Sequence, residues 1–256
     1  MKPAKRLLRH LALFLAYGSL GSLLMGVVIM IVVLESRPDL EVWHDADLEA
    51  EFTVESELES LEDYLDLEQR LFDQLDQEVY ALTGPAAPYE LNRYKRGSLS
   101  DPARWPRDWN RTFEFGQDDP RAVLLLLHGL SDSPYSLRHP AQALHAAGAH
   151  VLGLRIPGHG TAPAGLTKAG WRDMAAAVSL AVADLDRRFP DRPLYLVGYS
   201  NGAALALHHT LRAIEEREGR VPDRVVLISP LIGVSGLAAL ASWQERLGRW
   251  LSLDKL

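Results

Sequence analysis

The 256-residue sequence contains no cysteine, which excludes a disulfide scaffold, a thiolate metal site and a cysteine nucleophile. It also lacks clustered histidine and aspartate ligands and a glycine-rich phosphate loop, so we expect no metal and no cofactor. No strongly basic stretch is present, which argues against nucleic-acid binding. The hydrophobic share of 47% and the charged share of 24% are typical of a globular chain.

Charge is distributed unevenly along the chain. Residues 1–34 carry four bases and no acid, whereas residues 35–84 carry 17 acids and two bases. Residues 85–256 carry 21 bases and 17 acids. The net charge of −7 therefore arises from the second segment, and the asymmetry predicts three segments with different surroundings.

An uncharged run extends from Leu11 to Leu34. A helix of this length spans about 36 Å, which is enough to cross a hydrocarbon core of about 30 Å. The run is longer than the apolar region of a secretory signal, and no small-residue cleavage site follows it. We expect residues 1–36 to form a cytoplasmic basic tip and a transmembrane anchor, with a cleaved signal peptide as the alternative.

The charges that flank this run predict its orientation. Four bases precede it, and Glu35, Asp39 and Glu41 follow it. Because positively charged flanks stay in the cytoplasm, the N-terminus is expected there. Everything after residue 34 is then expected on the extracytoplasmic, or periplasmic, side of the plasma (inner) membrane.

Residues 37–84 are predicted to form an acidic, amphipathic helical stalk. From Ser56 onward the apolar residues recur mostly at helical spacing, and Gly84-Pro85 is a stop signal. They are Leu58, Leu61, Leu65, Phe72, Leu75, Val79 and Leu82. Two interpretations stay open: the helix packs on the domain or on a partner, with a solvated outer face, or it self-associates as a coiled coil.

Residues 85–256 alternate between apolar and amphipathic runs, which predicts an α/β fold with a mostly parallel sheet and flanking helices. The predicted strands are 122–127, 150–154, 194–197 and 224–228, with an antiparallel strand at 112–115. The predicted helices are 135–147, 171–189 and 203–218. The functional site of such a sheet lies beyond the carboxyl ends of its strands.

Gly198-Tyr199-Ser200-Asn201-Gly202 matches the G-x-S-x-G pattern between a strand and a helix. A sharp turn there strains the serine backbone, and the flanking positions pass too close to other backbone for a Cβ. The turn exposes the serine hydroxyl beside a helix N-terminus, where developing negative charge is favoured. Ser200 is therefore the candidate nucleophile; the alternative is a glycine-flanked turn with an incidental serine.

His128-Gly129-Leu130 follows the first apolar strand and ends at the same edge of the predicted sheet. The backbone N–H groups of Leu130 and Asn201 are candidates for an oxyanion hole. We interpret His128, and His159 in the Pro157-Gly158-His159-Gly160 turn, as residues that support these loops. A role for either histidine in proton transfer is the alternative.

The sequence resembles the α/β-hydrolase superfamily, in particular its monoacylglycerol-lipase, lysophospholipase and serine-aminopeptidase-like branch. The resemblance covers residues 110–256 and implies that Ser200 is an acyl nucleophile, with Leu130 and Asn201 as oxyanion donors. It rests on LLLLHGLSDSPYS (124–136), LRIPGHG (154–160), GWRD (170–173), LYLVGYSNGAALAL (194–207) and VVLISPLIGVS (225–235).

The chain departs from this pattern after the nucleophile. In this fold a triad acid and then a histidine follow the serine, but the last histidines are His208 and His209 in the next predicted helix. We expect a domain that is incomplete at the start of a lid helix near 237–251, so that the triad acid and base are not present. Two alternatives stay open: His128 or His159 serves as the base, or the fold has lost its chemistry.

The predicted function is that of a membrane-anchored serine esterase acting on a small acyl ester or lipid through an acyl-enzyme on Ser200. The alternatives are a serine peptidase of the same branch and a non-catalytic, membrane-attached interaction protein. The expected partners are the substrate and, through residues 11–34, the membrane. Self-association through the stalk is a further possibility, and nucleic acid is not expected.

Overall fold

The computed structural model describes residues 2–37, 39–84 and 90–233. The described residues up to Leu40 belong to one unit, and Glu41–Gly233 form another. The helices are α1 (Lys2–Glu35), α2 (Val42–Asp45), α3 (Leu61–Leu75), α4 (Arg138–Ala146), α5 (Gly165–Lys168), α6 (Trp171–Arg188) and α7 (Asn201–Glu215). The strands are β1 (Phe113–Phe115), β2 (Val123–Leu127), β3 (His150–Leu154), β4 (Leu194–Tyr199) and β5 (Arg224–Ile228).

The first unit contains the long apolar helix α1. Its stretch from Arg6 to Glu35 is long and apolar enough to cross a membrane, by length and composition. Most of its side chains are exposed, including Phe14, Leu23 and Ile29. A secretory signal near an N-terminus meets the same criteria, so the helix by itself gives weak evidence of a membrane span.

The second unit is built on a five-stranded sheet in the order β1-β3-β2-β4-β5. β1 pairs antiparallel with β3, and the other neighbours are parallel. β2 lies between β3 and β4, and all five of its residues are buried. An apolar run without alternation is typical of a strand covered on both faces.

Helices cover both faces of this sheet. Leu125, Leu127 and Leu196 pack on α6 residues such as Val178 and Ala181. On the opposite face, Leu124 and Leu126 pack near Ala141 of α4. The predicted fold class, a mostly parallel α/β sheet with flanking helices, is confirmed, and each predicted strand is present within two residues of its predicted ends.

The acidic segment departs from the predicted continuous helix. Only a short 3-10 turn is present at Val54–Ser56, and Glu57 then adopts a left-handed backbone with φ 51°. Helix α3 begins after Ser60, whose hydroxyl accepts a hydrogen bond from the Asp63 N–H at 3.1 Å. A serine N-cap satisfies one of the free N–H groups of the first turn, which explains where the helix starts.

The apolar face of α3 contacts the sheet domain. Leu61 and Tyr64 are buried in the same cluster as the β2 and α6 side chains, and Phe52 packs edge-on against Tyr64. Two of the residues assigned to this face are exposed: Leu65 is 36% exposed and Leu82 is 64% exposed. Neither residue lies on the buried face: Leu82 follows the π-helical turn at Asp76–Tyr80, and Leu65 stands on α3 beside the buried Tyr64.

Truncation of the central strand tests this core. Leu125 is completely buried, so Leu125→Ala is expected to lower the free energy of unfolding by about 2–5 kcal/mol, through lost burial and a residual cavity. The control Leu82→Ala, on an exposed side chain, is expected to change it by less than about 0.5 kcal/mol. Chemical denaturation of both variants in detergent measures the difference, and equal effects would contradict the assigned core.

Candidate active site

Ser200 stands at the turn between β4 and α7 with φ 52° and ψ −111°. A non-glycine residue with positive φ is strained and persists only where its surroundings hold it. The Ser200 N–H donates to the Ile228 carbonyl at 2.9 Å, and the Ser200 carbonyl accepts from the Leu231 N–H at 3.1 Å. The end of β5 and the residues after it therefore hold the strained backbone in place.

Two glycines allow this turn to form. A Cβ on Gly198 would lie well inside 3.0 Å of the Gly202 carbonyl oxygen, and a Cβ on Gly202 would lie equally close to the Leu127 carbonyl oxygen. Real Cβ contacts of this kind are not observed, so each position requires glycine. The close backbone approach that the motif predicts is present at both glycines.

The His128-Gly129-Leu130 loop lies directly against this turn. A Cβ built on Gly129 would be 3.5 Å from the Ser200 Cβ and 3.0 Å from the Tyr199 ring. The structure thus brings together the two loops that carry the candidate oxyanion donors. Among the described residues, no side chain forms a hydrogen bond with the Ser200 hydroxyl.

His128 is completely buried and uses both ring nitrogens. The Ile156 N–H donates to Nε2 at 3.0 Å, so the hydrogen resides on Nδ1, which donates to the Gly129 carbonyl at 2.9 Å. Burial, followed by the nearby charge of His159, lowers the pKa of His128 to about 3. A neutral imidazole with both nitrogens engaged is unsuited to accept a proton from Ser200, which disfavours His128 as the base.

His159 is also buried and supports the same loop. Its Nε2 lies 2.6 Å from the Leu130 carbonyl oxygen, and its Nδ1 lies 2.9 Å from the Pro157 carbonyl oxygen. Both ring nitrogens therefore face backbone acceptors rather than Ser200. His128 and His159 consequently hold the two carbonyl groups on either side of the Leu130 residue.

The remaining candidate positions lie elsewhere. The ring of His209 on α7 contacts the Arg220 carbonyl oxygen at 3.2 Å, and burial lowers its pKa. His208 stacks edge-on against Trp171. The predicted lid helix near 237–251 lies outside the described residues. Among the residues that are described, no group of three His, Asp or Glu side chains could hold a metal ion.

A buried ion cluster adjoins the loop after β3. Arg155 donates through Nη1 and Nη2 to the two Glu51 carboxylate oxygens at 3.1 and 3.0 Å, and through Nε to Glu68 at 3.1 Å. All three side chains are at most 5% exposed. Burial alone would lower the pKa of the Arg155 guanidinium, but the charges of Glu51 and Glu68 raise it above its usual value.

Sequence reasoning missed this cluster because it placed the acids of the segment on a solvated face. A signal was nonetheless present. Glu68 is seven residues after Leu61 and seven before Leu75, so it lies on the apolar stripe of α3 rather than opposite to it. A charged residue on a buried stripe requires a buried partner, and Arg155 fills that role.

The sheet order, the strained serine turn and the loop beside it define the class of α/β-hydrolases. Residues 118–254 match the family of serine aminopeptidases, S33, which is more than half of the chain, so this protein belongs to that family. The resemblance inferred from its motifs is thereby confirmed.

Similar proteins match about half of the chain. A thermostable monoacylglycerol lipase from Bacillus sp. (strain H-257) is 29% identical over 140 residues, which is 52% of this chain and 53% of the lipase. The chain thus spans about half the length of this curated relative.

Two solved structures align with a similar share of the chain. One of the metagenome-derived lipolytic enzymes LipS and LipT is 28% identical with a TM-score of 0.43, over 52% of this chain and 51% of the other. The monoacylglycerol lipase of Paleococcus ferrophilus is 20% identical with a TM-score of 0.42, over 54% of this chain and 50% of the lipase.

The environment of His128 predicts a pH dependence of stability. As pH falls below about 6.5, the unfolded chain binds a proton at His128 that the folded chain, with its lowered pKa, does not bind. The free energy of unfolding is therefore expected to fall by up to about 1.4 kcal/mol per pH unit from this residue. Denaturation in detergent between pH 7 and pH 5 measures that slope.

Glutamine can occupy the same place without titrating, so His128→Gln is expected to flatten the slope. The matched control is His139→Gln, because His139 is exposed. An unchanged slope in the His128 variant would show that this imidazole is not buried in its neutral form.

Proposed function

We propose that this protein is a serine hydrolase that cleaves carboxylic esters through an acyl-enzyme on Ser200. The observation that carries the proposal is the strained Ser200 turn with the Gly129-Leu130 loop packed against it. In this proposal the Ser200 hydroxyl attacks the ester carbonyl carbon, and the backbone N–H groups of Leu130 and Asn201 stabilise the resulting oxyanion.

Release of the alcohol leaves the acyl group on Ser200, and water then hydrolyses it to regenerate the serine. A base must take the serine proton and return it to the leaving alcohol. His128 and His159 are engaged with backbone groups, which favours a base other than these two. In this fold the acid and the histidine of a triad follow the nucleophile along the chain.

An ester assay tests the proposal directly. The protein produced from its complete natural gene, in detergent, is expected to hydrolyse p-nitrophenyl butyrate, and Ser200→Ala is expected to lower kcat by at least about a thousandfold, since it removes the attacking oxygen. Ser136→Ala, on an exposed hydroxyl, serves as the matched control. Equal activity in wild type and Ser200→Ala would remove Ser200 from the mechanism, and inactivity of both would favour a non-catalytic interaction protein.

We propose that the substrate is an acylglycerol or another lipid-like ester. The support is the likeness to a relative named as a monoacylglycerol lipase, together with the apolar helix that could keep the enzyme at a membrane. The family name favours a second candidate, cleavage of an aminoacyl group from a peptide. Comparing kcat/KM for a monoacylglycerol and for an aminoacyl p-nitroanilide on the same preparation separates the two.

We further propose that α1 anchors the domain, with the basic N-terminus in the cytoplasm. Because the chain has no cysteine, single cysteines report sidedness without background. In intact bacterial cells, a membrane-impermeant maleimide is expected to label Asp118→Cys, which is exposed, and to leave Ala4→Cys unlabelled until the cells are lysed. Labelling of Ala4→Cys alone would reverse the proposed orientation, and release of the chain by alkaline carbonate would contradict anchoring.

A further inference from the structure

The ion cluster around Arg155 joins two parts of the chain that are distant in sequence. Glu51 and Glu68 precede the family match, which begins at residue 118, whereas Arg155 lies within it. Glu51 follows α2, and Glu68 lies on α3. The acidic segment therefore reaches the loop after β3 through charged groups in the interior of the domain.

The geometry of the cluster leaves Arg155 little freedom. Its guanidinium forms a two-pronged contact with Glu51, a third contact with Glu68 and a fourth with the His159 carbonyl at 3.1 Å. The planar guanidinium matches this arrangement, which a lysine ammonium cannot reproduce.

Each carboxylate is itself held in place. Glu68 accepts from the Thr112 N–H at 2.8 Å and from the Thr112 hydroxyl at 2.7 Å. Glu51 accepts from the Phe52 N–H at 2.9 Å. In addition, the Tyr64 hydroxyl donates to the Arg155 carbonyl at 2.6 Å. Both the side chain and the backbone of Arg155 are thus fixed by residues that precede the family match.

From Arg155 two routes lead to Leu130. In the first, the N–H of the next residue, Ile156, donates to His128, and His128 donates to the Gly129 carbonyl. In the second, Arg155 holds the His159 carbonyl, and the His159 ring contacts the Leu130 carbonyl.

The first route sets the direction of the Leu130 N–H. The Gly129 carbonyl and the Leu130 N–H belong to one peptide unit, and in a trans peptide they point in opposite directions. A hydrogen bond that fixes the carbonyl therefore also aims the N–H. This N–H is one of the two oxyanion donors of the proposed mechanism, so its direction matters most in the transition state.

We propose that Glu51 and Glu68 are positioning residues for the oxyanion donor Leu130, acting through Arg155 and the loop after β3. This inference rests on the proposed function, because it assigns the acid pair a part in that reaction. Neither residue touches the substrate. In this proposal the acidic segment, which follows α1 along the chain, also helps to position a group of the active site.

A purely stabilising role accounts less well for the cluster. Burying two carboxylates and a guanidinium costs desolvation energy, and well-packed apolar side chains often stabilise a core equally well or better. Beyond packing, the charged cluster fixes the orientation of the guanidinium, because four hydrogen bonds hold its three nitrogens. Direction is what an oxyanion donor requires.

Kinetics of isosteric variants test the proposal. In the protein produced from its complete natural gene, Glu51→Gln and Glu68→Gln are each expected to lower kcat for p-nitrophenyl butyrate by about tenfold or more, while KM changes by less than about twofold, because a misdirected donor is felt in the transition state. Arg155→Lys is expected to behave similarly because it keeps the charge but loses the fork. Glu62→Gln, an exposed acid on the same helix, is the matched control and is expected to leave kcat unchanged.

Hydrogen exchange supplies a measurement that does not need activity. In the three cluster variants, amide exchange in peptides covering 124–136 and 155–160 is expected to accelerate about tenfold or more, while that in β4 (194–199) stays unchanged. If Glu51→Gln does not fold, as judged by circular dichroism, Arg155→Lys decides the outcome, since it leaves no buried carboxylate without a cation.

The outcomes separate this inference from the proposed function. Accelerated exchange in a chain without Ser200-dependent activity would support the structural link and reject both the ester hydrolysis and the catalytic part of the inference. Normal kcat and normal exchange in folded, active cluster variants would overturn the inference and leave the proposed function intact. A rise in KM at constant kcat would also overturn it, because it would point to substrate binding instead.

Discussion

The close approach of the β4–α7 turn to the end of β2 is the constraint on which the site depends. The backbone at Gly202 passes so near the Leu127 carbonyl that no side chain fits between them. That contact is possible because β2 and β4 are parallel neighbours in register, with Leu127 opposite Gly198. The residues that follow β2 therefore begin beside the serine turn, and Gly129 lies close to Tyr199 and Ser200. Sheet register, rather than any single side chain, brings the two loops together.

Much of this arrangement could be predicted from the sequence, because local patterns determine it. Five-residue apolar runs specify buried strands, and the glycines around Ser200 specify a tight turn in which a side chain would clash. The acidic segment was harder, because its environment depends on contacts more than 80 residues away in sequence. Whether a glutamate lies in water or against Arg155 is decided by tertiary packing, and composition alone suggested a solvated face. The helix start at Leu61 differs, since the Ser60 cap is a local signal in the sequence, whereas the left-handed backbone of Glu57 before it is not.

Folding places the carboxylates of the acidic segment in two different environments. The summed charge of this segment indicates a strongly negative surface, and most carboxylates of the segment do face solvent. Two of them instead face inward, and their charges offset the cost of burying the Arg155 guanidinium, whose pKa burial alone would lower. The same segment therefore presents negative charge to the outside and supplies counter-charge to the core. Net charge per segment is a poor guide to the role of any one residue within it.

The serine turn owes its strained backbone to bonds with residues 228 and 231, at and beyond the end of β5. Both bonds reach Ser200 from a later part of the chain, outside the glycine-flanked motif itself. A change that displaces the end of β5 would therefore let Ser200 relax to an ordinary backbone even where β4 and α7 keep their own conformation. The geometry of the nucleophile is thus a tertiary property, which the five residues of its motif do not determine by themselves.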